Sequence, residues 1–420
     1  MIEGNSQVLK KIAISDLMVD MYIAEIVESP NVPMPKKRKG MIRDSRIISK
    51  FVEIGIQQVV IDTEKGLDVI DLLSANDDAK KENQELFDDI IEEKIEILKQ
   101  QISTEYQALT MEWSNAKEIF KTSSSIVSQT IKAIKNGDEI HPDYFDEAAK
   151  AISRSIMRNK DALTWLGKIR NKDDYLYEHS VNSATLMGIF AHTYGLKPNE
   201  IEQCITGALL HDVGQAHITN EYFERAGPLS PKEFAQVKNH VNIAVRLLEH
   251  NNNISDISLK IVQEHHERYD GSGYPKGLIG PDISLFGRMF AIVDTYDAVT
   301  NKRCYKEAIP SSYGMRTLLE LSKTNFDEAL VHQFIKCMGV YPTGSLARLD
   351  NGYLAVVIAQ NPQSPLKPLV NIIYNAKSNA YVKPTMVDLG KANSKTKITS
   401  YEDPNDFGII INDFMPEEMS

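Results

Sequence analysis

One stretch decides how the rest of this chain is interpreted: His265-His266-Glu267-Arg268-Tyr269-Asp270-Gly271-Ser272-Gly273-Tyr274-Pro275. Its two histidines continue an apolar stripe at helical spacing that contains Ile257, Ile261 and Val262, so they face the core of a helical domain. Adjacent inward-facing imidazoles that run into a glycine-rich turn have few structural roles. The stretch therefore predicts half of a metal site at the end of a buried helix.

A second motif, His211-Asp212-Val213-Gly214, supplies the other half. Its histidine and aspartate lie on the apolar stripe of Ile201, Cys204 and Ile205, so they also point toward the core. Gly214 is interpreted as the stop signal that ends this helix. Because burying such polar groups unpaired costs on the order of several kcal/mol, they must bond to one another or to a metal ion.

Three further residues turn an imidazole or a carboxylate inward. Asp294 is embedded in one of the most apolar runs of the chain, His179 shares its helix face with Asn182, Ser183 and Leu186, and His240 lies between Val237 and Ala244 on its own face. Each of the two histidines alone is more often a structural residue than a ligand. Five segments with inward donors together, however, indicate one common site.

The donors of this site are nitrogen and oxygen atoms without thiolates. Such a set suits Fe, Mn, Ni or Zn, and several histidine and carboxylate donors suit two ions bridged by an aspartate. Two ions about 3.5 to 4 Å apart lower the pKa of a bridging water and neutralise phosphate charge. We therefore expect a dinuclear centre equipped for phosphoester hydrolysis.

Composition excludes several classes of protein. The 420 residues are 42% hydrophobic and 25% charged, which is typical of a soluble protein of two or three domains. A net charge of -11 argues against a DNA or RNA binder. No apolar run approaches the roughly 20 residues that span a bilayer, so no membrane segment is expected. Cys204, Cys304 and Cys337 lie far apart, which predicts a reducing, cytoplasmic location.

The pattern along the chain predicts a multidomain α+β protein. We expect a small mixed α/β domain over residues 1–75, a helical connector over 76–138, a mainly helical catalytic core over 139–338 and a β-rich segment over 339–420.

Several elements are predicted in detail. In the first domain, strands are expected near residues 8–14, 21–27 and 58–62, with a short helix near 43–54. In the core, Ser230 and Glu233 form a capping box that opens a helix carrying His240.

These motifs together resemble a known family. His211-Asp212, His240, His265-His266, the turn 270–275 and Asp294 look like the signature of HD-GYP domains, bacterial HD phosphohydrolases that degrade cyclic di-GMP. The resemblance covers about residues 150–335. The N-terminal segment resembles a domain of unknown function that often precedes HD-GYP domains.

The resemblance implies a role for each matching residue. An HD-type fold is expected for the helical core, with Asp212 bridging two divalent ions. Arg303 and Lys306 match positions that hold the substrate phosphates. The metal ligands implied are His179, His211, Asp212, His240, His265, His266 and Asp294.

Two departures from the family pattern affect the chemistry. Some members carry a glutamate that recruits a third metal where this chain has Tyr175, so two ions are expected. The lysine of the family's His-Asp-x-Gly-Lys motif is replaced by Gln215, while Asp173, which matches its usual partner, is retained. If that lysine protonates the leaving oxygen, its loss lowers the rate by about 10²- to 10⁴-fold. If it positions phosphate, the loss is smaller.

The glycine turn has two interpretations. Gly271 and Gly273 permit close approach of a ligand, and Tyr274 would then stack on a guanine base or bind a signalling protein. Alternatively, the turn is a structural loop that leads the chain away from the metal helix. The resemblance favours a loop at the rim of the site.

The sequence thus predicts a phosphodiesterase that hydrolyses cyclic di-GMP to linear pGpG, GMP or both through a metal-activated hydroxide, with Fe or Mn favoured over Ni or Zn. One alternative substrate is 3′,3′-cyclic GMP-AMP. Another alternative is a weakly active or inactive metal- and nucleotide-binding signalling module, because of Gln215. Apolar positions near Ile90–Leu98 would pack within the chain or form a homodimer.

Overall fold

The computed structural model describes residues 9–14, 17, 19, 21–27, 39–43, 45–63, 65, 108–138, 140–169, 175–219, 222, 227, 229–249, 253–301, 309–361, 364–392 and 394–415. The chain divides into two compact units, residues 1–86 and 87–420. The expected charged helix near Ile90–Leu98 lies outside the described residues.

The first unit is a small antiparallel sheet with one helix. Its elements are β1 (Leu9–Ala13), β2 (Tyr22–Ile26), β3 (Gly40–Met41), α1 (Ser45–Glu53) and β4 (Gln58–Asp62), and the strand order is β1-β4-β2-β3. Strand β4 alternates, with Val59 and Ile61 fully buried, because successive side chains of a strand point to opposite faces. The strands and helix predicted for this segment are confirmed to within two residues.

The second unit is mainly helical. Its helices are α2 (Leu109–Asn136), α3 (Pro142–Leu166), α4 (Tyr175–Tyr194), α5 (Pro198–Leu210), α6 (Pro231–Lys238), α7 (His240–Leu248), α8 (Asp256–Glu264), α9 (Leu285–Thr300), α10 (Ser311–Leu321) and α11 (Glu328–Met338). A 3₁₀ helix, Val213–His217, follows α5. No helix among the described residues combines the length and apolar character needed to cross a membrane.

A fully buried ion pair joins the two longest helices. The Nε and Nη2 atoms of Arg158 on α3 donate to the two carboxylate oxygens of Glu112 on α2, at 2.6 and 2.8 Å. Ser155 donates to the same carboxylate at 2.7 Å. Because the carboxylate has three donors, its burial is compensated. The pair fixes how α2 packs against α3, behind the helices that carry the candidate site.

The C-terminal residues form a five-stranded antiparallel sheet. Its strands are β5 (Leu346–Leu349), β6 (Tyr353–Ala359), β7 (Leu369–Asn375), β8 (Ala380–Asp388) and β9 (Ile398–Glu402), in the order β8-β7-β6-β5-β9. The indole nitrogen of Trp165 on α3 donates to the carbonyl of Ile358 at 2.7 Å, and Asp161 accepts from Thr343 at 2.7 Å. These bonds attach the sheet to the helical core. The predicted multidomain α+β fold, with a β-rich C-terminal segment, is confirmed.

Two local predictions around the candidate site are wrong. The helix that starts at the Ser230 capping box ends at Lys238, and His240 begins a separate helix after a turn at Asn239. Gly214 is not a left-handed helix stop, because it lies inside the 3₁₀ helix without a positive φ. A Cβ at this position would overlap the carbonyl oxygen of His240. Glycine is needed here for close packing of two backbones.

Candidate metal centre

Seven predicted side chains come together in the second unit. They lie on α4, at and after the end of α5, at the start of α7, at the end of α8 and in the middle of α9. Their donor atoms form two groups, each with all its atoms within 4.8 Å of one another: His179 with His211 and Asp294, and His240 with His265 and His266. The seventh is Asp212, which is also buried.

Backbone carbonyls orient three of the imidazoles. In His211, His240 and His265, Nδ1 lies 2.7 to 2.9 Å from the carbonyl oxygen three residues earlier. A carbonyl only accepts, so Nδ1 carries the hydrogen, and in the neutral form of each ring the lone pair is at Nε2. Metal-binding histidines are typically held in this way.

The Nε2 atoms make contacts that protein groups alone satisfy poorly. Nε2 of His240 lies 3.2 Å from Nε2 of His265, so two lone pairs face each other when both rings are neutral. Nε2 of His211 is buried and has no hydrogen-bond partner among the described residues. It lies 3.2 Å from Asp212 without forming a hydrogen bond. A divalent cation satisfies such atoms, and the donor set therefore fits a metal.

Asp212 lies between the two groups. One carboxylate oxygen is 3.2 Å from Nε2 of His211 and the other is 3.3 Å from Nε2 of His240. Burial alone would raise the pKa of Asp212, but the surrounding histidines, His211 foremost, hold it well below its usual value. The carboxylate is therefore ionised and faces both groups at once.

Sequence reasoning missed Asp297, which lies one turn after Asp294 on α9. Its carboxylate is 2.6 Å from Nδ1 of His179. Asn301 donates to the other oxygen at 2.6 Å, and Asn182 donates to that same oxygen. The signal was its spacing, because residues three apart on a helix share a face. Asp297 directs the opposite nitrogen of His179 toward Asp294, at 3.2 Å.

Burial and charge act together on the titrating groups. Burial would raise the pKa of Asp294, but its hydrogen bond to His179 and the charge of that ring lower it to about 2. Burial also disfavours the charged form of His179, yet Asp294 and Asp297 raise its pKa to about 9. For His265 and His266, burial and neighbouring imidazoles lower the pKa well below its usual value. These last two rings are neutral, as metal binding requires.

The glycine turn is anchored to the end of α8. The Glu267 carboxylate accepts the backbone N–H groups of Lys276 and Leu278 at 2.7 and 3.0 Å. A Cβ at Gly273 would overlap the backbone of Glu267 and Arg268, so packing alone accounts for this glycine. The Tyr274 ring lies 4.6 Å from the His266 ring, which puts it beside the donor cluster. Ligand contact by Gly273 and Tyr274 stays a prediction.

The other predicted site residues are placed less fully. Gln215 is half-buried in the 3₁₀ helix, and its backbone N–H donates to the carbonyl of Asp212 at 2.9 Å. Asp173, Arg303 and Lys306 lie outside the described residues, and the side chain of Tyr175 is not described.

Arg268, a half-buried cation near the cluster, was not singled out from sequence. Arg268 donates from Nη1 to the carbonyls of His265 and Glu267 at 3.2 and 2.9 Å. Burial lowers its pKa, while the carboxylate of Asp294 acts in the opposite direction. The positive charge of Arg268 thus interacts with the carboxylate of Asp294.

Three family models match the chain. An HD domain matches residues 168–330, a domain of unknown function matches residues 9–144, and a KOW domain associated with HD domains matches residues 346–408. An HD domain implies divalent metal binding, and the two groups of donor atoms offer the ligands for it.

The chain is also similar to individual proteins that are named as cyclic dinucleotide phosphodiesterases. A cyclic di-GMP phosphodiesterase of Pseudomonas aeruginosa is 29% identical over 399 residues, which cover 94% of this chain and 92% of that protein. A 3′3′-cGAMP-specific phosphodiesterase of Vibrio cholerae is 33% identical over 147 residues, covering 35% of this chain and 28% of that protein. A solved HD-GYP-type protein from Bdellovibrio bacteriovorus is 17% identical, with a TM-score of 0.47. The alignment covers 78% of this chain and 98% of that protein's chain. The chain therefore contains an HD domain at residues 168–330 and is similar along nearly its whole length to a protein named as a cyclic di-GMP phosphodiesterase.

Proposed function

We propose that this protein is a metal-dependent phosphodiesterase that hydrolyses cyclic di-GMP to linear pGpG, GMP or both. The observation that carries the proposal is the position of Asp212, whose two carboxylate oxygens lie 3.2 and 3.3 Å from histidine nitrogens of two separate donor groups. An ionised carboxylate in that position is suited to bridge two cations. The Pseudomonas aeruginosa relative, similar along nearly the whole chain, is named for this activity.

The proposed cofactor is a pair of divalent ions, Fe or Mn in preference to Ni or Zn. The donor set offers imidazole and carboxylate and no thiolate, which suits all four metals. Bound there, two ions would lower the pKa of a water molecule and neutralise phosphate charge. The proposed ligands are His179, His211, Asp212, His240, His265, His266 and Asp294.

Residues around the proposed ligands orient the histidine rings, and others are assigned to the substrate. The carbonyls that bind Nδ1 of three histidines fix the direction of each Nε2 atom, and Asp297 does the same for His179. We assign Arg303 and Lys306 to the substrate phosphates. Gln215, with Asp173, takes the place of the usual Lys-Asp pair, and it can donate a hydrogen bond but not a proton at neutral pH.

Two alternative functions follow from specific observations. The Vibrio cholerae relative is named for 3′3′-cGAMP, so a hybrid dinucleotide is the second candidate substrate. Gln215 favours a weakly active or inactive binding module that signals through protein contacts, with the Gly-Tyr-Pro loop as the contact surface. The complete ligand set argues against a module that has lost its chemistry. The domain limits predicted above, a cytoplasmic location and a homodimer remain part of the proposal.

The decisive experiment combines metal analysis with product analysis. Protein loaded with Fe or Mn is incubated with cyclic di-GMP and, separately, with 3′,3′-cyclic GMP-AMP, and products are separated by chromatography. We expect about two ions per chain and faster turnover of cyclic di-GMP. Asp212→Ala should abolish turnover and lower metal content, whereas Asp282→Ala, at an exposed carboxylate, should change neither. Turnover by metal-free protein, or by Asp212→Ala at the parent rate, would overturn the proposal.

A further inference from the structure

Helix α6 lies beside the metal centre but contributes nothing to the core. None of its residues is buried, and its start is fixed by the capping box of Ser230 and Glu233. Phe234 on this helix is 44% exposed. Its ring is edge-on to that of Tyr274, with the ring centres 6.4 Å apart, and nearly half of the side chain stays uncovered. Its ring is therefore available to a ligand.

Phe234 belongs to a cluster of three side chains, which we call the aromatic–lysine rim: Phe234, Lys238 and Tyr274. The ammonium of Lys238 lies 4.7 Å from the centre of the Phe234 ring and 4.9 Å from that of the Tyr274 ring. Both distances are within the range of cation–π attraction. The rim thus holds a positive charge beside an exposed aromatic face.

The rim is continuous with the metal centre. Tyr274 lies against His266 on one side, with the ring centres 4.6 Å apart and the planes 30° from parallel, and beside Lys238 on the other. Lys238 also lies two residues before His240, the first residue of α7. The rim is therefore within reach of the ribose and base of a dinucleotide whose phosphate occupies the metal centre.

The chemistry of the rim matches guanine better than adenine. An exposed phenyl ring stacks on any base, since every base has a π-face. Lysine is a donor that matches the O6 and N7 acceptors on one edge of guanine. On the same edge, adenine presents its N6 amino group, which is a donor and repels an ammonium. A lysine beside a stacking ring thus discriminates between the two purines.

We propose that the aromatic–lysine rim is a guanine-recognition subsite, in which Phe234 stacks on the base and Lys238 donates to O6 and N7. Tyr274 is a positioning residue that holds the ammonium. The inference rests on the proposed function, because it takes a cyclic dinucleotide as the ligand. It assigns to Lys238 the preference for cyclic di-GMP over adenine-containing dinucleotides.

The test compares cyclic di-GMP with cyclic di-AMP in metal-loaded variants. Lys238→Gln should lower kcat/KM for cyclic di-GMP about tenfold, mainly through KM, and should raise that for cyclic di-AMP, because the repelling ammonium is gone and glutamine can pair with N6 and N7 of adenine. Phe234→Ala should lower kcat/KM for both dinucleotides about tenfold. Tyr274→Phe should keep the preference, because the aromatic face remains, and Tyr274→Ala should weaken it. The matched control is Lys232→Gln, an exposed lysine on the same helix, which should change neither substrate.

Binding measurements separate this inference from the proposed function. The same variants are titrated with both dinucleotides by calorimetry, and metal content is checked in each. Hydrolysis with a guanine preference that Lys238→Gln leaves intact overturns the subsite and keeps the phosphodiesterase. An equal loss for both dinucleotides assigns Lys238 to phosphate and also overturns it. A protein that does not hydrolyse but binds cyclic di-GMP with a preference dependent on Lys238 supports the subsite alone. Absence of both binding and hydrolysis overturns both.

Discussion

The carboxylate of Asp297 lies 2.6 Å from Nδ1 of His179, and both side chains are buried. The bond links α9 to α4 and aims Nε2 of His179 at Asp294 on the same helix as Asp297. One helix thus supplies a proposed ligand and the group that orients another ligand. Asp297 is a positioning residue, since its contact with the centre runs through His179.

Asp297→Asn should weaken metal binding without unfolding the protein. Loss of such an orienting carboxylate typically costs about 10- to 100-fold in metal affinity. Asn also brings donor hydrogens toward Asn182 and Asn301, which already donate to this site. Metal affinity can be measured by competition with a chelating dye, beside the exposed control Asp282→Ala. An unchanged affinity at full folding would contradict the orienting role.

Gln215→Lys should raise turnover of cyclic di-GMP. A lysine at this half-buried position restores a group able to protonate a leaving oxygen, and such assistance is worth about 10²- to 10⁴-fold in rate. His217→Lys adds the same charge at an exposed position of the same 3₁₀ helix and should leave kcat unchanged. Equal gains in both variants would show that general electrostatic attraction is responsible. A parent without any turnover and a highly active lysine variant would favour the binding-module alternative.

Metal binding should release a proton from His179. Burial disfavours its charged form, but Asp294 and Asp297 raise its pKa from 6.5 to about 9 in the metal-free protein. Between these values the folded state binds more proton than the unfolded state. The resulting stabilisation of metal-free protein is therefore full below pH 6.5 and is lost as the pH rises through about 9.

Because metal requires the unprotonated nitrogen, affinity for Mn²⁺ should rise across the same pH window. Calorimetric titration near neutral pH in buffers of different ionisation enthalpy should report the proton release. The control His192→Gln, at an exposed histidine of α4, should release the same number of protons as the parent. An affinity that does not change across the window would contradict the coupling.

Arg158→Ala should strongly destabilise the second unit. Removing one partner of a buried ion pair leaves the other charge uncompensated, which typically costs about 3 to 5 kcal/mol. Arg316→Ala breaks the exposed pair with Glu320, where the side chains are 75% and 65% exposed, and should cost less than about 1 kcal/mol. The free energy of unfolding from denaturant titration measures both. Similar losses in the two variants would contradict the structural role of the buried pair.

The sequence predicted the convergence of the seven donors because all of them except His179 lie on an apolar stripe or in an apolar run. Helical periodicity therefore indicated their direction before any distance was known. The strands of the first unit and of the C-terminal sheet followed from alternation and turn residues in the same way. Helical periodicity and strand alternation are local patterns, so they can be recognised without knowing which segments come into contact.

The errors and omissions concern features that depend on contacts between segments. The break at Asn239 is not visible from the capping box, which indicates where α6 starts and not where it ends. The role of Gly214 was predicted wrongly because its close contact with the His240 backbone joins residues distant in sequence, and such a contact is not visible in a local pattern. Asp297 and Lys238 were missed for a similar reason, since their partners, His179 and Tyr274, lie on other elements.

The Glu267 carboxylate has a consequence for how the protein responds to its surroundings. It ties down the glycine turn through two backbone N–H groups, and it is not among the proposed ligands. The conformation of the glycine turn and the metal-dependent chemistry therefore depend on different side chains. Under the proposed function, loss of the metal ions would stop hydrolysis, while the glycine turn would keep its conformation. The protein would then bind its nucleotide without hydrolysing it.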